Sequence, residues 1–500
     1  MITPETMRFN TDDVKVYLAA AGAGKTTALM DEMTELLKVY RPDEIAFVTY
    51  TRKGVAHGIE RALQANPQIS VEDLVHFKTL HALCFRELGL KRDEIVSQKH
   101  LNALNKAFGF KLTMQEAFEQ QTDDDKMLTR YEAIRSGATK GIYLHDNYNE
   151  ERYSILTKCY EALKEEHNLK DFHDCLALFR DRNQSVNVKV AFIDEAQDLT
   201  LLQWEVCQIA FSTCEKIRIS GDDYQTLFGY SGASPRTLIN LARKYDTVKL
   251  ETSYRLPQAV YRFAKGVAYA IEQKIDKDFK PARDVEGFVE DVKDRQILIR
   301  RIRKDLADNG LLPYRWYLLF RNNCFIDEFS VLLEQYTVPY HTSKGFCLAE
   351  RDLAKIRRYY SYRTKGYGSK EAFEKFCKEY SIKNINEDFT ESDLIPSERR
   401  YVYYDYVQKY GIEKLEEMSR KEPFLLLSTT HRVKGGEADY VAVFLDCTRK
   451  VSQNEMMNRD EELHVLYVAC TRAKIGLYLV ARNGRYGLED TIHMIREVAA

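Results

Sequence analysis

The sequence predicts an α/β fold with two parallel-sheet domains, each interrupted by a mainly helical insertion. Three observations predict it. Short apolar runs recur along the chain between stretches of helical periodicity, as expected for strands buried on both faces and joined by crossover helices. The runs fall into an early set and a late set, which implies two sheets. Two stretches break the rhythm. Residues 89 to about 187 are polar and helical in pattern, with the acidic patch Asp123, Asp124 and Asp125, and residues 351–423 are charged, Tyr-rich and also helical.

The early strands are expected at 14–18, 45–49, 188–193, 217–220 and 247–250. The late strands are expected at 316–320, 424–428, 440–445 and 475–480. Each is a run rich in Val, Ile, Leu, Phe or Tyr, bounded by turn or charged residues.

Composition narrows the class. With 500 residues and 44% hydrophobic content the chain can bury several cores, about three or four domains at roughly 100–200 residues each. Charged residues make up 30%, and no apolar run approaches the roughly 18 residues of a membrane span. The opening MITPETMRFNTDD lacks the basic-then-apolar layout of a secretory signal, so a cytoplasmic chain with no membrane partner is expected. The ten cysteines form no C-x-x-C and no zinc-like spacing, which predicts free thiols in a reducing compartment. A net charge of −2 argues against coating nucleic acid by bulk electrostatics but leaves room for a local basic groove.

The chemistry starts after the first strand. Ala19-Ala20-Ala21-Gly22-Ala23-Gly24-Lys25-Thr26 stands between that strand and a helix whose apolar face carries Leu29, Met33, Leu36 and Leu37. This is the strand–loop–helix setting of a phosphate-binding loop. Gly22 and Gly24 let backbone amides turn inward around phosphate oxygens, and the helix N-terminus adds partial positive charge. Lys25 is placed to reach β/γ phosphates and Thr26 to ligate magnesium. Ala19 stands where the strict pattern has Gly. The run at 188–193 ends in Asp194-Glu195, and a buried strand ending in two acids projects them from the carboxyl edge of its sheet. Asp194 suits a magnesium shell and Glu195 the activation of a water. The late strand set has no G-K-[ST], so its expected role is to present arginines, Arg255 and Arg472, across a cleft to the departing γ-phosphate.

The order of these motifs resembles the UvrD/Rep/PcrA-like branch of superfamily 1 DNA helicases. AAAGAGKTT (19–27), IAFVTYTRKGV (45–55) and FKTLHAL (77–83) look like motifs I, Ia and Ib. DFHDCL (171–176) is similar to the segment before motif II, and VAFIDEAQD (190–198) to motif II itself. ISGDDYQTLFGYSGA (219–233), LETSYR (250–255) and LLFRNN (318–323) look like motifs III, IV and IVa, and TTHRVKGGEADYV (429–441) and EELHVLYVACTRAK (461–474) like V and VI.

The resemblance implies two RecA-like domains in a 1A, 1B, 2A, 2B layout. Domain 1A would take 1–88 and 188–254, insertion 1B 89–187, domain 2A 255–350 and 424–500, and a short insertion 2B 351–423. It implies ATP and Mg2+ as cofactors. Gly22, Ala23, Gly24, Lys25, Thr26 and Thr27 would hold the nucleotide. Tyr254 would stack on adenine, Glu437 would bond the ribose, Gln225 would sense the γ-phosphate, and Arg255 and Arg472 would be arginine fingers. Tyr50, Phe228 and Tyr230 would stack on bases, with core packing the alternative for each. Arg52, His81, Arg321, Asn323 and His431 would touch backbone or base edges. The implied partners are single-stranded DNA, duplex junctions and replication or repair proteins, for a chain acting as a monomer.

The implied activity is ATP-dependent 3′→5′ travel on single-stranded DNA with duplex separation. A translocase that displaces proteins with little unwinding is the alternative, a scaffold with a dead ATPase site is disfavoured by the full residue set, and an RNA substrate stays open. Four features depart from the pattern. No Gln precedes the phosphate loop at adenine-recognition spacing, Ser231 stands where motif III often has Arg, the second insertion is short, and ARNGRYGLED (481–490) leaves room only for a short turn where relatives place a strand-separating hairpin. A basic, Tyr-rich stretch at 355–370, KIRRYYSYRTKGYGSK, is a second candidate for gripping a strand or for covering the core.

Overall fold

The computed structural model describes residues 3–114, 122–137, 149–365 and 399–499. The chain divides into two compact units, one of Met1–Phe288, Arg449–Thr471 and Asp490–Ala500, the other of Val289–Thr448 and Arg472–Glu489.

The first unit is built on six strands: β1 (Val14–Ala19), β2 (Ile45–Thr49), β3 (Phe77–Thr79), β4 (Val190–Ile193), β5 (Lys216–Gly221) and β6 (Asp246–Leu250). They lie in the order β3-β2-β4-β5-β1-β6, and every pairing is parallel. The apolar runs of β1, β2 and β4 are continuous because both faces are covered. Val14, Val16, Leu18, Ala191 and Ile193 enter one core, while Tyr17, Ile45, Phe47, Val190 and Phe192 enter the core on the opposite face. The order β4-β5-β1 has a direct consequence for chemistry. Parallel strands that are neighbours deliver the loops after β1, β4 and β5 to one sheet edge.

The helical insertion in this unit has its own core. Leu101, Leu104, Met127, Leu128, Leu156, Tyr160 and Leu163 pack together from the helices Gln98–Phe108, Asp123–Arg135 and Glu150–Glu166. A buried ion network fastens it to the helix Phe172–Arg182: Lys164 Nζ donates to Asp171 Oδ2 at 2.9 Å and to Asp174 Oδ2 at 2.7 Å.

The first unit also contains segments that the sequence places in the second α/β domain. The helices Gln258–Ala270 and Arg459–Cys470 pack on each other. Val465 and Val468 of the latter bury themselves against Leu227, Phe228 and Ala233. His464 Nδ1 donates to Tyr224 O at 3.0 Å, and Asp460 accepts the amides of Glu272 and Gln273 at 2.8 and 2.9 Å. Apolar burial, rather than position along the chain, decides where these helices pack.

The two-stranded sheet of β7 (Thr252–Ser253) and β8 (Lys280–Pro281) follows. The second unit holds the sheet of β9 (Phe288–Val292), β10 (Trp316–Phe320), β11 (His341–Thr342), β12 (Gly345–Phe346), β13 (Leu425–Thr429), β14 (Ala438–Phe444) and β15 (Ala473–Val480), in the order β12-β11-β13-β10-β14-β15-β9. Its central pairings are parallel. Both units thus have the mainly parallel sheet expected of RecA-like domains. In the second insertion, Tyr403 and Tyr406 are buried, and the Tyr406 hydroxyl donates to Val338 O at 2.7 Å. The side chains from Tyr359 to Lys370, most of the basic Tyr-rich stretch, lie outside the described residues. Among the described residues no helix is long and apolar enough to cross a membrane, and the described cysteines are free thiols, Cys84, Cys207 and Cys470 deeply buried.

Burial pushes the imidazoles of His76, His81 and His173 down to about 4 from 6.5. Between these two values the unfolded chain binds more protons than the folded one. The stability these three groups contribute is therefore complete above pH 6.5 and is lost as pH drops toward 4. An NMR titration of the imidazoles is expected to show these three titrating near 4, and titration near 6.5 would overturn the burial argument.

Candidate nucleotide site and nucleic-acid interface

The loop after β1 turns through two glycines in the left-handed region, Gly22 at φ 70 and Gly24 at φ 74, a conformation that costs other residues energy. Gly24 is the N-cap of the helix Lys25–Leu36, which buries Leu29, Met30, Met33 and Leu36. Gly22 is also a point of close approach. Tyr254 N donates to Gly22 O at 3.0 Å and Ser253 Oγ to Ala21 O at 2.7 Å. A Cβ on Gly22 would lie 2.7 Å from Arg255 Cβ, which cannot swing away. Gly22→Ala is expected to cost about 1–3 kcal/mol by overpacking and to weaken nucleotide binding. A melt together with an ATP-binding titration checks this, and unchanged values in both would remove the close approach.

The acids arrive from β4. Lys25 Nζ donates to Glu195 Oε1 at 2.5 Å and lies 3.8 Å from Asp194 Oδ1. Burial pulls the Lys25 ammonium down, but the Glu195 and Asp194 carboxylates outweigh it and hold its pKa above the ordinary value. Burial raises the Asp194 carboxyl. Glu195 sits at φ 54, ψ 37, a left-handed conformation uncommon for a glutamate. That turn carries its carboxylate back over the loop.

Asp194 Oδ1 accepts from Ser220 Oγ and from Glu195 N. These contacts and the Lys25 approach all fall on one oxygen, an arrangement suited to a carboxylate whose second oxygen serves a cation. Thr26, beside Lys25 in the first turn of the helix Lys25–Leu36, carries a hydroxyl that is a hard oxygen of the kind Mg2+ prefers.

The loop after β5 completes the arrangement. Gln197 Nε2 donates to Glu195 Oε2 at 2.6 Å, and Asp222 N donates to Gln197 Oε1 at 3.0 Å. Gln225 Nε2 donates to Asp222 Oδ2 at 2.6 Å. A continuous run of polar contacts therefore links Lys25, Glu195, Gln197, Asp222 and Gln225. Gln197 and Asp222 are buried and carry no role in the sequence reading, although both stand inside the quoted motifs. Tyr467, also unassigned, accepts from Ala21 N at 3.3 Å through its hydroxyl, so the helix Arg459–Cys470 touches the phosphate loop. Its signal, an apolar-spaced Tyr on a buried helix, is that of ordinary core.

Arg255 departs from its expected place across a cleft. It belongs to the first unit, packs beside Gly22 and donates from Nη1 to Thr471 O at 3.3 Å. The chain emerging from β7 runs alongside the phosphate loop, which fixes both Tyr254 and Arg255 there. The Tyr254 ring is 65% exposed, and its Cε2 would lie 3.9 Å from a Cβ on Gly24, so a flat apolar face lies open beside the loop. Ala23 is buried in the loop, while Thr27 is exposed on the helix that follows.

Arg472 and Glu437 belong to the second unit. Arg472 is buried and donates from Nη1 to Gly436 O at 3.3 Å, the residue before Glu437. In that unit His431 is buried, with Arg321 and Lys434 among the charges that hold its imidazole neutral, and Asn323 opens the helix Asn323–Gln335.

Of the expected base-stacking residues, Tyr50 and Phe228 have ring centroids 4.6 Å apart, and Phe228 and Tyr230 6.3 Å apart. Phe228 is buried, while Tyr50 and Tyr230 are half-buried. Arg52 opens the helix Arg52–Ala65 just beyond Tyr50. His81 packs edge-on against the exposed Phe172 at 5.7 Å.

Comparison with known proteins shows the family. Residues 5–246 match the UvrD/REP helicase N-terminal domain, and residues 424–480 match the UvrD-like helicase C-terminal domain. The chain belongs to the UvrD/Rep-like helicase family. YjcD of Bacillus subtilis is 26% identical over 387 residues, covering 69% of this chain and 50% of YjcD. The ATP-dependent DNA helicase Rep of Escherichia coli is 24% identical over 369 residues, covering 66% of this chain and 53% of Rep. This UvrD/Rep-like chain thus spans about half the length of these relatives.

Proposed function

We propose that the chain is an ATP-dependent DNA helicase that hydrolyses ATP while moving along single-stranded DNA. The observation that carries this reading is the linked run from Lys25 through Glu195, Gln197 and Asp222 to Gln225, gathered at the ends of β1, β4 and β5. A phosphate loop, a paired base and cation, and a glutamine reporting from the next strand form the chemistry of phosphoryl transfer to water. Family membership and the name of Rep support DNA as the polymer.

In this reading the loop amides and Lys25 bind the phosphates, Tyr254 offers its open face to the base, and Glu195 takes a proton from the attacking water. Thr26 and Asp194 would hold Mg2+, which when bound neutralises charge on the β and γ phosphates. Arg255 and Arg472 stabilise charge on the departing group, and Glu437 bonds the ribose. Tyr50 and Tyr230 stack on bases with Phe228 beneath them, and Arg52, His81, Arg321, Asn323 and His431 contact the strand. Burial keeps His81 and His431 neutral at pH 7, so they contribute as hydrogen-bonding groups rather than as phosphate cations.

Stacking one base is worth roughly 1–3 kcal/mol and opening one base-pair step costs about 1.4 kcal/mol. Binding can nearly offset melting but supplies no direction. Direction comes from ATP-driven closure of two RecA-like domains whose grips on the strand alternate, with 3′→5′ polarity carried by the family resemblance.

One observation favours the second reading, a translocase with weak unwinding. Between β15 and the helix Glu489–Ala499 the chain makes only a short turn, held where Asp446 Oδ1 accepts the amides of Asn483 and Gly484 at 2.8 and 3.1 Å. Strand displacement with ATP on duplexes carrying a 3′ or a 5′ tail, run beside displacement of streptavidin from biotinylated single strands, decides between them. Displacement from 3′-tailed duplex supports the helicase, streptavidin release alone supports the translocase, and absence of DNA-stimulated hydrolysis removes both.

A further inference from the structure

Lys277 lies in the irregular segment before β8, with its side chain wholly removed from solvent. Its Nζ donates to Ala19 O at 2.9 Å, to Asp222 Oδ1 at 2.8 Å and to Asp223 Oδ1 at 2.5 Å, and stands 3.6 Å from the centroid of the Tyr224 ring. An ammonium has three protons, and here each has an oxygen.

Those three oxygens belong to two different segments. Ala19 is the last residue of β1, immediately before the phosphate loop. Asp222 and Asp223 follow β5, and the second oxygen of Asp222 holds the Gln225 amide. The backbone repeats the clasp: Lys277 N donates to Tyr224 OH at 3.2 Å, that hydroxyl donates to Ile275 O at 3.0 Å, and Ile275 N donates to Asp223 Oδ2 at 2.6 Å.

Burying a cation with two carboxylates is a poor route to stability, because apolar residues of similar volume often serve as well. What three-point coordination does provide is a fixed separation between the groups it joins.

We propose that Lys277 is a positioning residue for γ-phosphate cleavage, fixing the Gln225 side chain against the phosphate loop through Asp222. The proposal rests on the ATP-driven motor reading and adds to it a residue outside every motif quoted above. The turn that Lys277 grips runs on into Phe228 and Tyr230, so a strand stacked on those rings pulls on the same clasp. Lys277 therefore acts on turnover in the presence of DNA more than on nucleotide affinity.

The test uses the full chain with Lys277→Met, Lys277→Arg, and each combined with Gln225→Ala. Melting temperature, ATP KM, and kcat with and without oligothymidylate are measured. Lys277→Arg keeps the charge, but its planar fork cannot reproduce three ammonium contacts, so it carries the test if Lys277→Met does not fold. The expected result is a folded variant whose DNA-stimulated kcat falls by up to about 100-fold, the scale of a 1 Å misplacement, with KM nearly unchanged. Adding Gln225→Ala then lowers kcat little further, because both changes disable one device. A folded Lys277→Arg with unmodified kcat overturns the proposal, as does a loss that multiplies in full with that of Gln225→Ala, which marks a general structural role. If the unmodified chain itself shows no DNA-stimulated hydrolysis, the motor reading fails before Lys277 is reached.

Discussion

Lys25→Ala is expected to abolish ATP hydrolysis while single-strand binding persists. Lys25 is the cation shared by Glu195 and Asp194, at 2.5 and 3.8 Å. In the proposed reaction it exchanges these partners for β/γ phosphate oxygens and remains there as charge shifts toward the leaving group. Removing one such donor from a transition state lowers kcat by about 10²–10³-fold. The loss of the amine also leaves two carboxylates facing each other.

Breaking a buried pair costs about 3–5 kcal/mol, but the Glu195 side chain is 31% exposed, so a smaller destabilisation of about 1–3 kcal/mol is expected after solvent screening. Asp194, already raised by burial, should titrate higher still without the amine. The rings of Tyr50, Phe228 and Tyr230 pack with Leu227, Ala233, Val465 and Val468, a cluster built on apolar contacts and not on the Lys25 charge, so affinity for oligothymidylate should change little. Phosphate release, a melt and fluorescence anisotropy with labelled oligothymidylate check the three parts. Turnover near that of the unmodified chain would remove Lys25 from the site.

The phosphate-loop half of the candidate site was legible because its logic is local. A strand, a glycine loop and a helix dipole are contiguous at 14–36, and an apolar run ending in Asp-Glu marks a strand aimed at the same edge. All nine expected strands are present, with ends shifted by no more than two residues, since runs buried on both faces have a clear hydrophobic signature. β3 is three residues long and β9 reads Phe-Val-Glu-Asp-Val, half-buried and charged, so neither announces itself.

The fate of the helix Arg459–Cys470 was not legible either. It is buried on nearly every side, Glu461, Glu462 and His464 included, and a helix buried all round carries no single apolar face from which its neighbour can be read. Lys277 was missed for a related reason. It is one of two lysines in Gln273-Lys274-Ile275-Asp276-Lys277-Asp278, and only the return of the chain past Ala19 and Asp222 distinguishes it.

Glu195→Gln is expected to separate binding from turnover. The amide keeps the size of the carboxylate, and Gln197 Nε2 can still donate to its oxygen. It cannot accept a proton from water, so kcat should fall by about 10²–10⁴-fold, the span of general-base contributions. Nucleotide affinity should move the other way. The Lys25 ammonium donates to Glu195, and the phosphates of ATP compete with that carboxylate for the amine. A neutral amide competes less well for the cation and brings less negative charge to the phosphates, so the variant should bind ATP more tightly than the unmodified chain while hydrolysing it far more slowly. Equilibrium binding of a fluorescent ATP analogue beside steady-state phosphate release measures both. Weaker binding with unchanged turnover would show that Glu195 serves only to hold the loop, and would move the general base elsewhere.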